Sequence, residues 1–163
     1  MNWPISELDE VRRLRILHAA LPGTVLAETV LPDGFEQVWL ELSDLENDFL
    51  VYAPSIASIR IIERHGERMR ALVRDRIGLR APFDVVLRSG WCLMQSRFVV
   101  FGMAAAPGDG GTRVGYLLGM RLPGERLVGA RLLGRLLTSC LQPLGRLIVR
   151  GFARRWAERH PRD

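Results

Sequence analysis

A chain of 163 residues with 48% hydrophobic and 25% charged side chains suits one globular domain with a single core, and excludes a disordered chain. Its net charge of +5 comes from 23 basic residues against 18 acidic ones, and every basic residue is arginine. Without lysine, Schiff-base catalysis and a Walker-type phosphate site are excluded.

No apolar run approaches the roughly 20 residues that span a bilayer. The first ten residues lack a basic and an apolar segment in the order of a secretory signal, so a cytoplasmic protein is expected. Cys92 and Cys140 have no metal-ligand spacing, and His18, His65 and His160 are scattered, so neither a metal site nor a cofactor is expected. The arginines are spread over strands and helices in the pattern of solvated faces, with acidic residues among them, and no nucleic-acid-binding motif is present. Arg146, Arg150, Arg154, Arg155, Arg159 and Arg162 concentrate near the C-terminus beside only Glu158 and Asp163. This face reads first as solvated, with contact to a membrane surface left open but not favoured.

In chain order, Ser6 to Asp9 starts an amphipathic helix carrying Leu8, Val11, Leu14 and Leu17, stopped at Leu21, Pro22 and Gly23. It reads as an extension (1–23), a flap or brace over one end of the domain (24–163), or a partner contact. Thr24 to Leu31 is rich in strand formers. Phe35, Val38, Trp39 and Leu42 mark a one-sided helix with Asp33 as its expected cap. Ser43 or Asp44 caps a second short helix that bears Leu45, Phe49 and Leu50 and closes at Ala53 and Pro54.

From Ser55 the period changes to two. Ser55 to Arg64 and Arg68 to Ile77 are strands around a turn at His65 to Glu67. In the second, Arg68, Arg70, Arg74 and Arg76 share a wet face, and Met69, Ala71, Val73, Asp75 and Ile77 an enclosed one. Phe83 to Arg88 and Trp91 to Ser96 flank a Ser89 and Gly90 hairpin turn. Phe98 to Ala106, a loop from Pro107 to Gly111, and Thr112 to Leu122 complete an antiparallel meander. A long helix then carries Leu133, Leu137, Cys140, Leu144 and Ile148 on one stripe, continued by Phe152 and Trp156, with Pro143 expected to kink it.

This order resembles the helix-grip fold of the START-like (SRPBCC) superfamily over residues 24–160. The local phrases are Gly34 to Trp39, Tyr52 to Ile56, Gly111 to Val114, and Leu122 to Gly124. The resemblance implies an α+β fold in which a curved antiparallel sheet of about seven strands wraps a long C-terminal helix. Two short helices follow the first strand, and the N-terminal helix is extra. Within the superfamily the chain is similar to the polyketide cyclase/dehydrase and lipid-transport-like group, which implies an apolar ligand held between sheet and helix.

The enclosed faces then supply Met69, Ala71, Val73, Val114, Tyr116, Leu118 and Met120, joined by Leu133, Leu137 and Cys140 from the helix. Such residues serve equally as core or as ligand lining. Tyr116 could give a ligand oxygen a phenolic hydrogen bond or bond to backbone. Asp75, on the enclosed face, is either a buried proton-moving carboxylate or a strand-end residue that reaches solvent and pairs with an arginine. Three readings follow: carriage of a lipid, polyketide or isoprenoid; aromatase/cyclase or dehydratase chemistry in the same cavity, with Asp75 and Tyr116 catalytic; or a protein- or membrane-contact module. A homodimer stays open.

Overall fold

A computed structural model describes residues 8–120 and 147–161. Helix α1 (Glu10–Ala20) leads into β1 (Thr24–Leu31), then the short helices α2 (Phe35–Ser43) and α3 (Asp48–Tyr52). A run of six strands follows: β2 (Ile56–His65), β3 (Arg68–Asp75), β4 (Arg80–Arg88), β5 (Trp91–Gln95), β6 (Val99–Gly108) and β7 (Gly111–Met120). Residues 147–159 form α4. The expected Leu122 to Gly124 break, the stripe residues Leu133, Leu137, Cys140 and Leu144, and the Pro143 kink lie outside the described residues.

The seven strands form one antiparallel sheet in the order β1-β7-β6-β5-β4-β3-β2. Consecutive strands from β2 to β7 pair with their neighbours, so tight turns suffice to connect them. Glycines with positive φ occupy those turns, among them Gly66, Gly90 and Gly110. Two expectations are corrected here. The Pro107 to Gly111 loop is a tight turn, because β6 and β7 stay paired as far as Gly108 and Gly111. The strand expected to reach Ile77 ends at Asp75, because Gly78 (φ 94°) and a bond from Leu79 N–H to Asp75 Oδ1 (2.8 Å) turn the chain there. Ile77 is therefore 84% exposed and not on the enclosed face.

The concave face of the sheet meets α2, α3 and α4 in the main core. Val38, Trp39 and Leu42 of α2, Phe49 and Tyr52 of α3, and Val149, Phe152 and Trp156 of α4 pack there against strand residues such as Met69, Val85, Met103 and Val114. Aromatic rings occupy its centre: Phe152 meets Tyr52 at 5.1 Å and Tyr116 at 4.9 Å, both edge to face. The cap of α2 is Gly34 and not Asp33. Asp33 instead ties elements together: its Oδ2 accepts from Trp156 Nε1 (2.6 Å) and its carbonyl from Thr112 Oγ1 (2.8 Å).

Helix α1 occupies the convex face and does not cover one end of the domain. Val11 and Leu14 form a second core with Trp91, Ala104, Ala106 and Leu117. Small residues on the outer face of β6 and β7 make the seat. A Cβ on Gly102 would stand 2.8 Å from Leu14 Cδ1, and one on Gly115 would stand 3.1 Å from Leu14 Cδ2. Asp9 caps the helix by accepting from Arg12 N–H (2.9 Å). The same carboxylate accepts from Arg113 of β7 (2.5 Å), and Arg15 forks onto Glu28 of β1 (2.5 and 2.6 Å). Strands β6 and β7 are thus buried on both faces.

Candidate functional site

The concave face is the place where the fold can hold a ligand, because there an apolar wall faces helices instead of solvent. Of the expected lining, Met69, Ala71, Val73, Val114 and Tyr116 are buried in one continuous cluster. Leu118 and Met120 continue the same face of β7 toward its end but are 37% and 60% exposed. Among the described residues the wall is therefore packed by aromatic rings at one end and open at the other. Leu133, Leu137 and Cys140 lie outside the described residues.

Tyr116 stands at the boundary between these halves. Alternation along β7 turns its ring inward, where it lies between Phe101 (6.2 Å) and Phe152 (4.9 Å). Its hydroxyl is buried and has no hydrogen-bond partner among the described residues. Burial pushes the phenol well above its ordinary range, and the nearby Tyr52 adds to the shift. The group therefore stays protonated and can donate. Leaving such a hydroxyl unpaired costs about 1–3 kcal/mol.

Asp75 is half-buried at the far end of β3. It lies at the strand end, as one alternative has it, but its Oδ1 accepts from Leu79 N–H in the β3–β4 turn, and among the described residues it forms no ion pair with an arginine.

A polar cluster without a sequence signature closes the packed end. Glu41 of α2 accepts from Tyr52 Oη (2.6 Å) and from His160 Nε2 (2.6 Å), with Arg159 3.5 Å away. Arg159 also pairs with Asp48 of α3. The His160 ring stacks on Trp156 at 4.4 Å. Burial and then the bond to Glu41 raise the Tyr52 phenol above its usual value. Beside the cluster a groove of about 240 Å³ runs between the end of β1 and α4, lined by Val30, Leu31, Ala153 and Trp156 among others. These bonds fasten the C-terminal helix to α2 and α3, and Glu41, Tyr52 and His160 are engaged with one another.

The architecture is a helix-grip fold, a seven-stranded antiparallel sheet with a C-terminal helix packed on its face. Solved structures with this fold include TTHA0849 of Thermus thermophilus, with 20% identity over 81% of this chain and 95% of that one, at a TM-score of 0.53. The Zhui aromatase/cyclase of Streptomyces sp. R1128 is 13% identical over 85% of this chain and 95% of its own, at a TM-score of 0.57. KanY is 11% identical over 80% and 94%, at 0.56. No protein-family model and no curated protein matches the sequence.

Proposed function

We propose that this protein binds and carries a hydrophobic small molecule with an oxygen acceptor, of the lipid, polyketide or isoprenoid kind, on the concave face of its sheet. The buried Tyr116 hydroxyl, without a hydrogen-bond partner among the described residues, carries this reading. A buried donor facing an apolar wall gains a partner when a ligand carbonyl or hydroxyl arrives, so that bond orients the ligand while apolar burial supplies affinity at roughly 25 cal/mol per Å². Helix-grip proteins such as the Zhui aromatase/cyclase offer the cyclisation reading as a rival. Carriage is favoured because Asp75, the expected proton-moving carboxylate, is engaged by the turn at the sheet end.

Native mass spectrometry of gently purified protein, followed by extraction into organic solvent, tests this reading. A co-purifying apolar molecule is expected, held about 3- to 10-fold less tightly by Tyr116→Phe. Absence of any bound molecule, together with failure to bind a panel of fluorescent fatty acids and polycyclic phenols, would overturn it.

A further inference from the structure

The register of the sheet gathers the β3–β4 turn, the β5–β6 turn and the end of β7 at one end of the molecule. That end is unusual in two respects. Large apolar side chains protrude from it: Ile77 and Leu79 in the β3–β4 turn are 84% and 67% exposed, and Phe98 in the β5–β6 turn and Met120 at the end of β7 are exposed at the same end. Exposed arginines surround them, with Arg74, Arg76 and Arg80 at the β3–β4 turn and Arg97 over the ring of Phe98 (5.3 Å). Among the described residues none of these four arginines lies within ion-pair distance of a carboxylate.

Arg74 and Arg80 are moreover direct cross-strand partners, a juxtaposition of like charges that destabilises a sheet unless an anion neutralises it. The turn is also held in shape. Leu79 N–H bonds Asp75 Oδ1, Leu79 C=O accepts from Asp75 N–H (3.0 Å), and Arg76 N–H bonds the Ser55 carbonyl (3.1 Å). A tip with protruding Ile and Leu, flanked along the chain by guanidinium groups that pair with no carboxylate among the described residues, matches an anionic lipid bilayer, where apolar side chains enter the acyl boundary and cations meet headgroup phosphates.

We propose that this end of the sheet docks on anionic membrane surfaces, with Ile77 and Leu79 as the inserting tip and Arg74, Arg76, Arg80 and Arg97 as the phosphate contacts. Leu118 and Met120, exposed on the same face of β7 as Tyr116, lie toward the same end. The docked protein thus presents its ligand face to the bilayer, which is where a carrier of a lipid-like molecule loads and unloads. This last step rests on the function proposed above, whereas docking itself does not.

Flotation of the full chain with phosphatidylcholine vesicles, with and without phosphatidylglycerol, tests the proposal. Binding only to the anionic vesicles, weakening as salt rises, is expected. Arg76→Gln with Arg80→Gln should weaken it about 30-fold, from about 1 kcal/mol for each arginine. Ile77→Ser with Leu79→Ser should abolish insertion while thermal stability is unchanged, since both side chains are exposed. Tyr116→Phe should leave vesicle binding intact and the tip variants should leave ligand retention intact, which separates failure of docking from failure of carriage. Indifference to anionic lipid, or wild-type binding by both tip variants, would overturn the proposal and assign the patch to a protein contact.

Discussion

Oε1 of Glu41 lies 2.6 Å from Nε2 of His160, although 119 positions separate them in the chain. Its other oxygen holds the Tyr52 hydroxyl at 2.6 Å, so one carboxylate joins α2, α3 and the end of α4. Glu41→Ala should leave a part-buried phenol and imidazole without their acceptor, and destabilise the protein by about 2–3 kcal/mol. Hydrogen exchange followed by mass spectrometry should show faster exchange in residues 150–160 and little change in β4 and β5. Equal acceleration everywhere would mean that the cluster does not fasten the helix end.

Tyr116→Phe should stabilise the ligand-free protein by about 1 kcal/mol, because it removes a buried hydroxyl that has no partner among the described residues while keeping the ring contacts to Phe101 and Phe152. Urea denaturation of delipidated protein measures this. A destabilised variant would mean that the hydroxyl already has a partner and is not held in reserve for a ligand.

Leu14 is fully buried in the seat formed around Gly102 and Gly115. Leu14→Ala should cost about 2–5 kcal/mol, and Gly102→Val a comparable amount because the new side chain displaces Leu14. If protease cleaves α1 from either variant while the sheet remains folded, the convex core is an independent layer. Loss of the whole fold would show that both cores melt as one.

Stability should fall at both extremes of pH. Burial alone would raise the Asp9 carboxyl, but bonds from Arg12 N–H and from the Arg113 guanidinium, with both charges, outweigh it and lower the folded value below 3.8. The unfolded chain therefore binds the proton first, so the contribution is present above about 4 and is lost as pH falls through the folded value. Cys92 behaves oppositely: burial pushes its thiol from 9.0 up to about 12. Its contribution is complete below 9.0 and is lost as pH rises toward 12, at about 1.4 kcal/mol for each unit. Denaturation curves should show a shallower acid limb for Asp9→Asn and a shallower alkaline limb for Cys92→Ala, the raised Tyr52 and Tyr116 phenols supplying the rest of the latter.

Local order was readable wherever neighbouring residues decide it. The Thr24 to Leu31 strand agrees with the structure at both ends, and the Ser89 and Gly90 turn joins the strands expected to flank it. Alternation along β3 located Met69, Ala71 and Val73 correctly but carried two residues too far, because periodicity cannot register the bond between Asp75 and Leu79 N–H that ends the strand. Asp33 has the residue type and position of a helix cap, yet Trp156, 123 positions away, takes its carboxylate. The Glu41, Tyr52 and His160 cluster had no local signal at all. The second core leaves no local signal for a related reason: Met103 to Ala106 is buried on both faces, so it shows no alternation from which an outer partner could be inferred.

Among the described residues the strand order ends at β1 and β2, and the chain passes from one to the other through α2 and α3. A closed barrel could widen only by parting hydrogen-bonded strands. Here girth is governed by side-chain contacts, in which Val38, Leu42 and Phe49 meet the main core. Such contacts can be rearranged one rotamer at a time. Under the proposed carriage, guests of different bulk would then fit with every rung of the ladder kept, and breadth of ligand choice would follow from how the two sheet edges are bridged.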